Sequence, residues 1–317
     1  MNLRAADRRI TRDADARHSR RIRATCCGGL ASRFLGVQRS GHVAAVLGSS
    51  FYLGAPEGVV CVGDQRIDAG ALNVVTDAAR DTDWAALGMR SGRPWRAQAG
   101  CIHIGGVLRV ELADAMIWRP RACSESWSRD RTARALSTLL DMARTRMSAD
   151  GLGGIVLARG EPPSRPPLLV MAWTPVAALR IWLAAAMRSS GAPAAAVPND
   201  VRRLVGLGPG LTPSGDDLLG GVLIALHALD HDDARRRLWH AVRPRARASG
   251  NAISLAHLAA AADGYSCAAV HTLLGALRSA DRVALAASLD RTARYGHTSG
   301  WDTLAGIVTV LGTWVSE

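Results

Sequence analysis

Between Gly41 and about Arg119 the apolar positions fall in short runs punctuated by glycine: Val43–Leu47, Phe51–Leu53, Val59–Val62, Ala71–Val75 and Cys101–Leu112. Runs of this length, rich in β-branched residues and bounded by glycine, predict strands of a mainly antiparallel sheet. Helical spacing first appears over Arg131–Met147, and the proline-rich stretch Gly160–Pro167 reads as a loop or linker. After Thr174 the spacing is helical throughout. Pro175 is expected at the first turn of a helix over Val176–Met187, followed by helices over Asp216–Leu229, Asp232–Val242, Ala252–Ala262, Ala268–Leu277, Arg282–Arg294 and Trp301–Trp314. The predicted fold is α+β, with a β-rich amino-terminal lobe over 36–165 and an all-helical carboxy-terminal lobe over 166–317.

Charge changes this picture at one end. The chain of 317 residues has a formal net charge of +12, and residues 1–33 hold nine Arg against three Asp with no apolar periodicity. Residues 1–35 are therefore expected to be a disordered basic extension that contributes nothing to the core. In the remainder Arg is scattered among acids without interleaved aromatic residues, which argues against a nucleic-acid partner. Every residue counted under Lys+Arg is Arg. That excludes a P-loop lysine, a Schiff-base lysine and a kinase-type phosphate lysine. None of the six cysteines, Cys26, Cys27, Cys61, Cys101, Cys123 and Cys267, forms a C-x-x-C pair, so they read as reduced, mostly buried thiols of a cytoplasmic protein rather than zinc ligands. Thr174, Pro175 and Arg180 interrupt the apolar stretch Pro167–Met187, which weakens a membrane-spanning reading.

The chemistry concentrates in Leu204–Asp217, where four glycines, two prolines, two hydroxyls and two carboxylates stand before an apolar helix. Such a loop can aim backbone N–H groups at an anion, with Gly206, Gly208, Gly210, Thr212, Ser214 and Gly215 as candidate contacts and a positive helix terminus behind them. A plainer reading makes Ser214 an N-cap and Asp217 its capping-box partner. It explains Asp216 and the alternating glycines less well. The same arrangement returns 85 positions later, Ser214-Gly-Asp-Asp-Leu-Leu-Gly-Gly aligning with Ser299-Gly-Trp-Asp-Thr-Leu-Ala-Gly. Gly221 and Gly306 occupy equivalent places, predicting two helices that cross tightly there and bring both amino-termini to one pocket. Ser299, Gly300 and Asp302 thereby join the candidate site. His297 reads as a general acid or an exposed loop residue, Arg203, like Arg202, as an anion ligand or a solvated cation, and Trp301 as pocket wall or core anchor.

At these segments, Gly206–Asp217 and Gly296–Asp302, and in the Ile253–Gly264 stretch between them, the sequence resembles the AllH-like family. Members of that family accompany other subunits in oxamate carbamoyltransferase of allantoin degradation. The resemblance implies a carbamoyltransferase or a subunit of one, moving a carbamoyl group between phosphate and a small amide or amine acid. It implies carbamoyl phosphate or another phosphate-bearing anion as ligand, and partner subunits or a homo-oligomer. On that reading Asp216, Asp217 and His297 are the catalytic candidates, and Asp216 with Asp217 could instead hold Mg²⁺. The alternatives are a Mg-nucleotide-dependent phosphotransferase-like enzyme and a non-catalytic anion-binding subunit of a complex.

Overall fold

The computed structural model describes residues 19–37, 39–121, 125–148, 150–157, 166–188 and 196–317. The chain divides into two compact units, Met1–Arg119 and Pro120–Glu317. The division falls well before the expected boundary at 165. The reason lies in the first long helix after the strands: its Leu136, Leu139 and Ala143 belong to the core of the helical unit.

The first unit contains β1 (Arg20–Gly28), α1 (Gly29–Leu35), β2 (Arg39–Val46), β3 (Ser50–Ala55), β4 (Gly58–Gly63), β5 (Asn73–Thr76), β6 (Pro94–Gln98), β7 (Cys101–Ile104), β8 (Leu108–Glu111) and β9 (Met116–Trp118). These strands form one sheet in the order β5-β4-β3-β2-β6-β7-β8-β1-β9, and a further β1–β5 pairing closes it into a barrel. The expected mainly antiparallel sheet is corrected to a closed mixed one, because β1 runs parallel to β8 and β9, and β4 parallel to β5. β1 closes the ring by changing partners along its length. Arg20–Arg23 pair with β8, and Ala24–Cys27 pair with β5 across a bulge between Ala24 and Cys26. Closure leaves few unpaired sheet edges.

The disordered extension expected over residues 1–35 is also corrected over Arg20–Leu35. Arg21 and Arg23 point outward while Ile22, Ala24 and Cys26 point into the core, a period of two that the local arginine excess obscures. Residues 1–18 lie outside the described residues. The core that β1 joins includes Phe51, Leu53, Val62, Trp84, Trp95, Ile102 and Val110. A chain beginning at Val37 loses β1, α1 and the buried Ile22, Ala24, Cys26, Cys27, Ala31 and Leu35. That removes burial on the order of 5 kcal/mol or more, comparable with the whole stability of a small domain. Near-ultraviolet circular dichroism of this truncated chain is expected to show a lost or strongly weakened tertiary signal from the barrel tryptophans. An unfolding midpoint within a few degrees of the full chain would show β1 to be dispensable.

The second unit holds α2 (Arg129–Ala143), α3 (Pro167–Arg188), α4 (Ser214–Ala228), α5 (Asp232–Ala248), α6 (Ala252–Ala262), α7 (Ala268–Ser279), α8 (Arg282–Ala293) and α9 (Ser299–Val315). Short 3₁₀ turns occupy Gly153–Val156 and Asn199–Leu204. Most of the predicted helices appear within two or three residues of their expected ends. The exceptions are α2, which ends four residues short of Met147, α5, which runs six residues past Val242 through Pro244, and α3, which starts at Pro167 and runs through Pro175. A proline inside a helix deprives the carbonyl four residues earlier of its donor. In α3 that carbonyl belongs to Met171, an exposed residue, so water can serve it. This helix is consequently continuous and, alone among the described helices, long and apolar enough to cross a membrane. One face, including Ala172, Val176, Leu179 and Leu183, packs into the core of this unit.

The centre of the helical unit is the pair α4 and α9. α4 is buried nearly all round, and every residue of α9 from Gly300 to Leu311 is buried. Helices apolar on all faces belong inside a core, with the amphipathic ones outside them. The surrounding helices carry local start signals. Ser128 caps Arg131, Asn251 caps Ser254, and Asp281 caps Val283 and Ala284.

Candidate functional site: two helix starts joined at a glycine crossing

The expected crossing is present. A Cβ built on Gly221 would lie 2.0 Å from the Thr303 carbonyl oxygen, and one on Gly306 would lie 2.0 Å from the Leu218 carbonyl oxygen. Each helix therefore uses its glycine to let the other's backbone in. This close approach brings the two amino-termini together, where Thr212 Oγ1 and Ser299 Oγ lie 3.2 Å apart. The glycine inside each S-G-x-D block has a packing role too. A Cβ at Gly215 would meet the Leu204 oxygen at 2.0 Å, and one at Gly300 the Thr292 oxygen at 1.8 Å.

Neither start is a capping box. Ser214 is the first helical residue of α4 rather than its cap, Pro213 precedes it, and no side chain caps that end. The α9 start likewise has no side-chain cap. The polar groups are turned across the pair instead. The Ser299 and Thr212 hydroxyls face the Asp217 carboxyl, and the Ser214 and Thr298 hydroxyls face the Asp302 carboxyl. Desolvation is the main reason that Asp217 holds its proton well above the usual carboxylate range; the hydroxyls oppose this, and the nearby charges of Asp302 and Asp216 reinforce it. Asp302 is fully buried, and desolvation raises it in the same sense. Oδ2 of Asp217 and Oδ2 of Asp302 are both sealed from solvent with no hydrogen-bond partner among the described residues. Two such oxygens at one place mark a spot where a proton or a ligand donor is wanted.

Asp216 has a different task. Its Oδ1 accepts the Gly206 N–H at 2.9 Å and its Oδ2 accepts the Ser254 hydroxyl at 2.6 Å. It thus ties the glycine loop to α6. Asn251 adds a second tie by donating its amide to the Leu211 carbonyl at 2.9 Å. Burial raises the Asp216 carboxyl as well, against those two hydrogen bonds. With both oxygens committed to protein donors, Asp216 does not fit a Mg²⁺ ligand beside Asp217. Among the described residues no three His, Cys, Asp or Glu side chains converge as a metal group.

The loop glycines divide similarly. Gly206, Gly208 and Gly210 have φ of +76°, +103° and +102°, so the alternation marks a left-handed zigzag that other residues rarely adopt. The Gly206 N–H goes to Asp216, the Gly215 N–H to the Leu207 carbonyl at 2.8 Å and the Gly300 N–H to the Tyr295 carbonyl at 2.9 Å. These three expected anion donors are therefore committed within the protein. The N–H groups of Gly208, Gly210 and Thr212 have no protein acceptor among the described residues.

Two candidates point elsewhere. His297 is exposed, and its Nε2 lies 3.3 Å from Asp150 Oδ2. Arg203 is exposed and pairs with Asp200 at 3.4 Å. Trp301 is buried at the start of α9, a core anchor. Sequence reasoning missed the segment around Gly151, which wraps Asp302. The Leu152 N–H donates to Asp302 Oδ1 at 2.5 Å, and a Cβ at Gly151 would lie 2.6 Å from that oxygen. The run Gly151-Leu-Gly-Gly154 was its signal, hidden beside a stretch read as linker.

The helical unit is thus defined by two glycine-built helix starts that share one polar cluster. Residues 204–311 match the family model described as oxamate carbamoyltransferase subunit AllH, and over that segment the chain is similar to the AllH-like family. The matched segment contains both helix starts and the Ser254 tie, and leaves out the barrel unit and the Gly151 wrap. No solved structure matches the chain.

Proposed function

We propose that this chain is a subunit of an oxamate carbamoyltransferase-type assembly in allantoin nitrogen catabolism, working in the cytoplasm, and that the joined helix starts hold the phosphate end of carbamoyl phosphate. The observation that carries this reading is the pairing itself. Two helix amino-termini meet at Thr212 and Ser299, and the N–H groups of Gly208, Gly210 and Thr212 are free of protein acceptors beside them. Helix termini and glycine-loop amides together favour an anion without any lysine.

Carbamoyl transfer needs three things from a protein: a grip on phosphate, stabilisation of the oxyanion formed when nitrogen attacks the carbamoyl carbon, and a place for the nitrogen's proton. The loop amides and the two hydroxyls would grip phosphate. A carboxyl that keeps its proton by burial can donate a hydrogen bond to a developing oxyanion, and on this reading Asp217 would be that group. Asp302, wrapped by Leu152, would orient Ser214 and hold the cluster's second carboxyl. Asp216 would act as a positioning residue that fixes the loop.

Thr212→Val, which removes one hydroxyl and keeps the shape, tests the reading in an assembly reconstituted with partner subunits. The expected outcome is a rise in KM for carbamoyl phosphate of about tenfold, the worth of a lost hydrogen bond to an anion, with an unchanged unfolding midpoint. An unchanged KM and kcat would remove the loop from the reaction.

A further inference from the structure

The barrel unit contains a cavity of about 480 Å³ outside the family-matched segment, lined by the β2–β3 turn, Arg66 and the Asp81–Met89 loop. We propose that it binds a small carboxylate bearing an amino or amide nitrogen.

The cation of the site is built. Asp64, fully buried, takes the Nε and Nη2 edge of Arg66, at 3.0 and 3.1 Å from Nε and 2.6 Å from Nη2. Arg66 Nη2 also donates to the Gly48 carbonyl at 2.6 Å. This clamp fixes the guanidinium by one edge and leaves Nη1 with no protein acceptor among the described residues. A guanidinium pinned in this way is pre-organised to receive a carboxylate on its remaining edge.

Two further donors lack partners. Among the described residues Thr82 Oγ1 and Trp84 Nε1 find no hydrogen-bond partner, Thr82 being 8% and Trp84 1% exposed, and both residues line the cavity. A buried indole N–H and a hydroxyl left unpaired are costly in a structure of otherwise satisfied polar groups. A bound molecule whose acceptor oxygens reach these two atoms, each closed to solvent in this structure, would relieve both. Val46, Leu47 and Met89 give the cavity an apolar wall, suited to a short carbon skeleton. Asp81 and Asp83, both exposed, sit on the lining beside Arg66. Two carboxylates there disfavour a multiply charged phosphate and favour a ligand that presents an N–H donor or ammonium as well as its carboxylate.

The test uses the full chain labelled with ¹⁵N in its indoles, the Trp84 resonance being identified by its loss in Trp84→Phe. Titration with asparagine should move that resonance saturably, and inorganic phosphate should not. Thr82→Val exchanges an unpartnered buried hydroxyl for a methyl, so its unfolding midpoint should stay level or rise while asparagine binding weakens about tenfold. A hydroxyl with a purely structural role would show the reverse. The proposal is overturned if asparagine, glutamine and glycine all fail to shift Trp84 at up to roughly 50 mM, well above the affinity of a weak small-ligand site. It is equally overturned if phosphate alone shifts the resonance, or if Thr82→Val binds as the parent does.

Discussion

Gly306→Ala is expected to cost the helical unit about 3 kcal/mol or more, and Gly312→Ala in the same helix to stabilise it by roughly 0.5–1 kcal/mol. Both place one methyl in α9. At Gly306 the methyl would fall 2.0 Å from the Leu218 carbonyl oxygen and 2.8 Å from the Val222 nitrogen, backbone atoms that no rotamer change can move. At Gly312 nothing lies within 4 Å, so the substitution only limits the freedom of the unfolded chain. Chemical denaturation of the two variants separates close packing from helix propensity. Equal effects would mean that the α4–α9 crossing is loose.

Asp217→Asn is expected to lower turnover about 100-fold or more in the competent assembly, equivalent to roughly 3 kcal/mol of transition-state stabilisation, without loss of stability at neutral pH. The sign follows from burial. The folded carboxyl keeps its proton to a pH well above the ordinary value of 3.8, where the unfolded chain has already released it. Folding then binds a proton, so this group costs stability progressively as pH rises from about 4 through its folded value. Asparagine does not ionise. The variant should gain on the parent in unfolding free energy as pH rises above about 4, the reverse of what loss of a helix cap would do. If it loses stability at neutral pH and keeps turnover, Asp217 is structural.

The parts of this fold that were legible in the sequence depend on local period. Helices α4 to α9 have apolar spacing and, apart from the carboxy-terminal end of α5, clear ends, and the S-G-x-D repeat with Gly221 and Gly306 located the crossing, because a helix-interior glycine is costly unless something needs its room. β1 was hidden because its outward positions are arginines, so a strand with period two resembled a charge run. The parallel pairings of β1 with β8 and β9 join residues far apart in sequence, and nothing local to either strand specifies them. At the site, glycine, serine and aspartate were found as residues, but their assignment was not. Whether Asp216 or Asp217 has free oxygens depends on Ser254 and on Ser299, which arrive from other helices. His297 looked chemical from its neighbours, yet it points to Asp150 at the surface.

The most direct test of the joined helix starts is a crystal structure of the chain soaked with carbamoyl phosphate. The account predicts phosphate density within hydrogen-bonding distance of the Gly208, Gly210 and Thr212 N–H groups and of the Ser299 hydroxyl, with the carbamoyl end toward Asp217. Ligand bound elsewhere in the helical unit, with those three N–H groups left unoccupied, would contradict it.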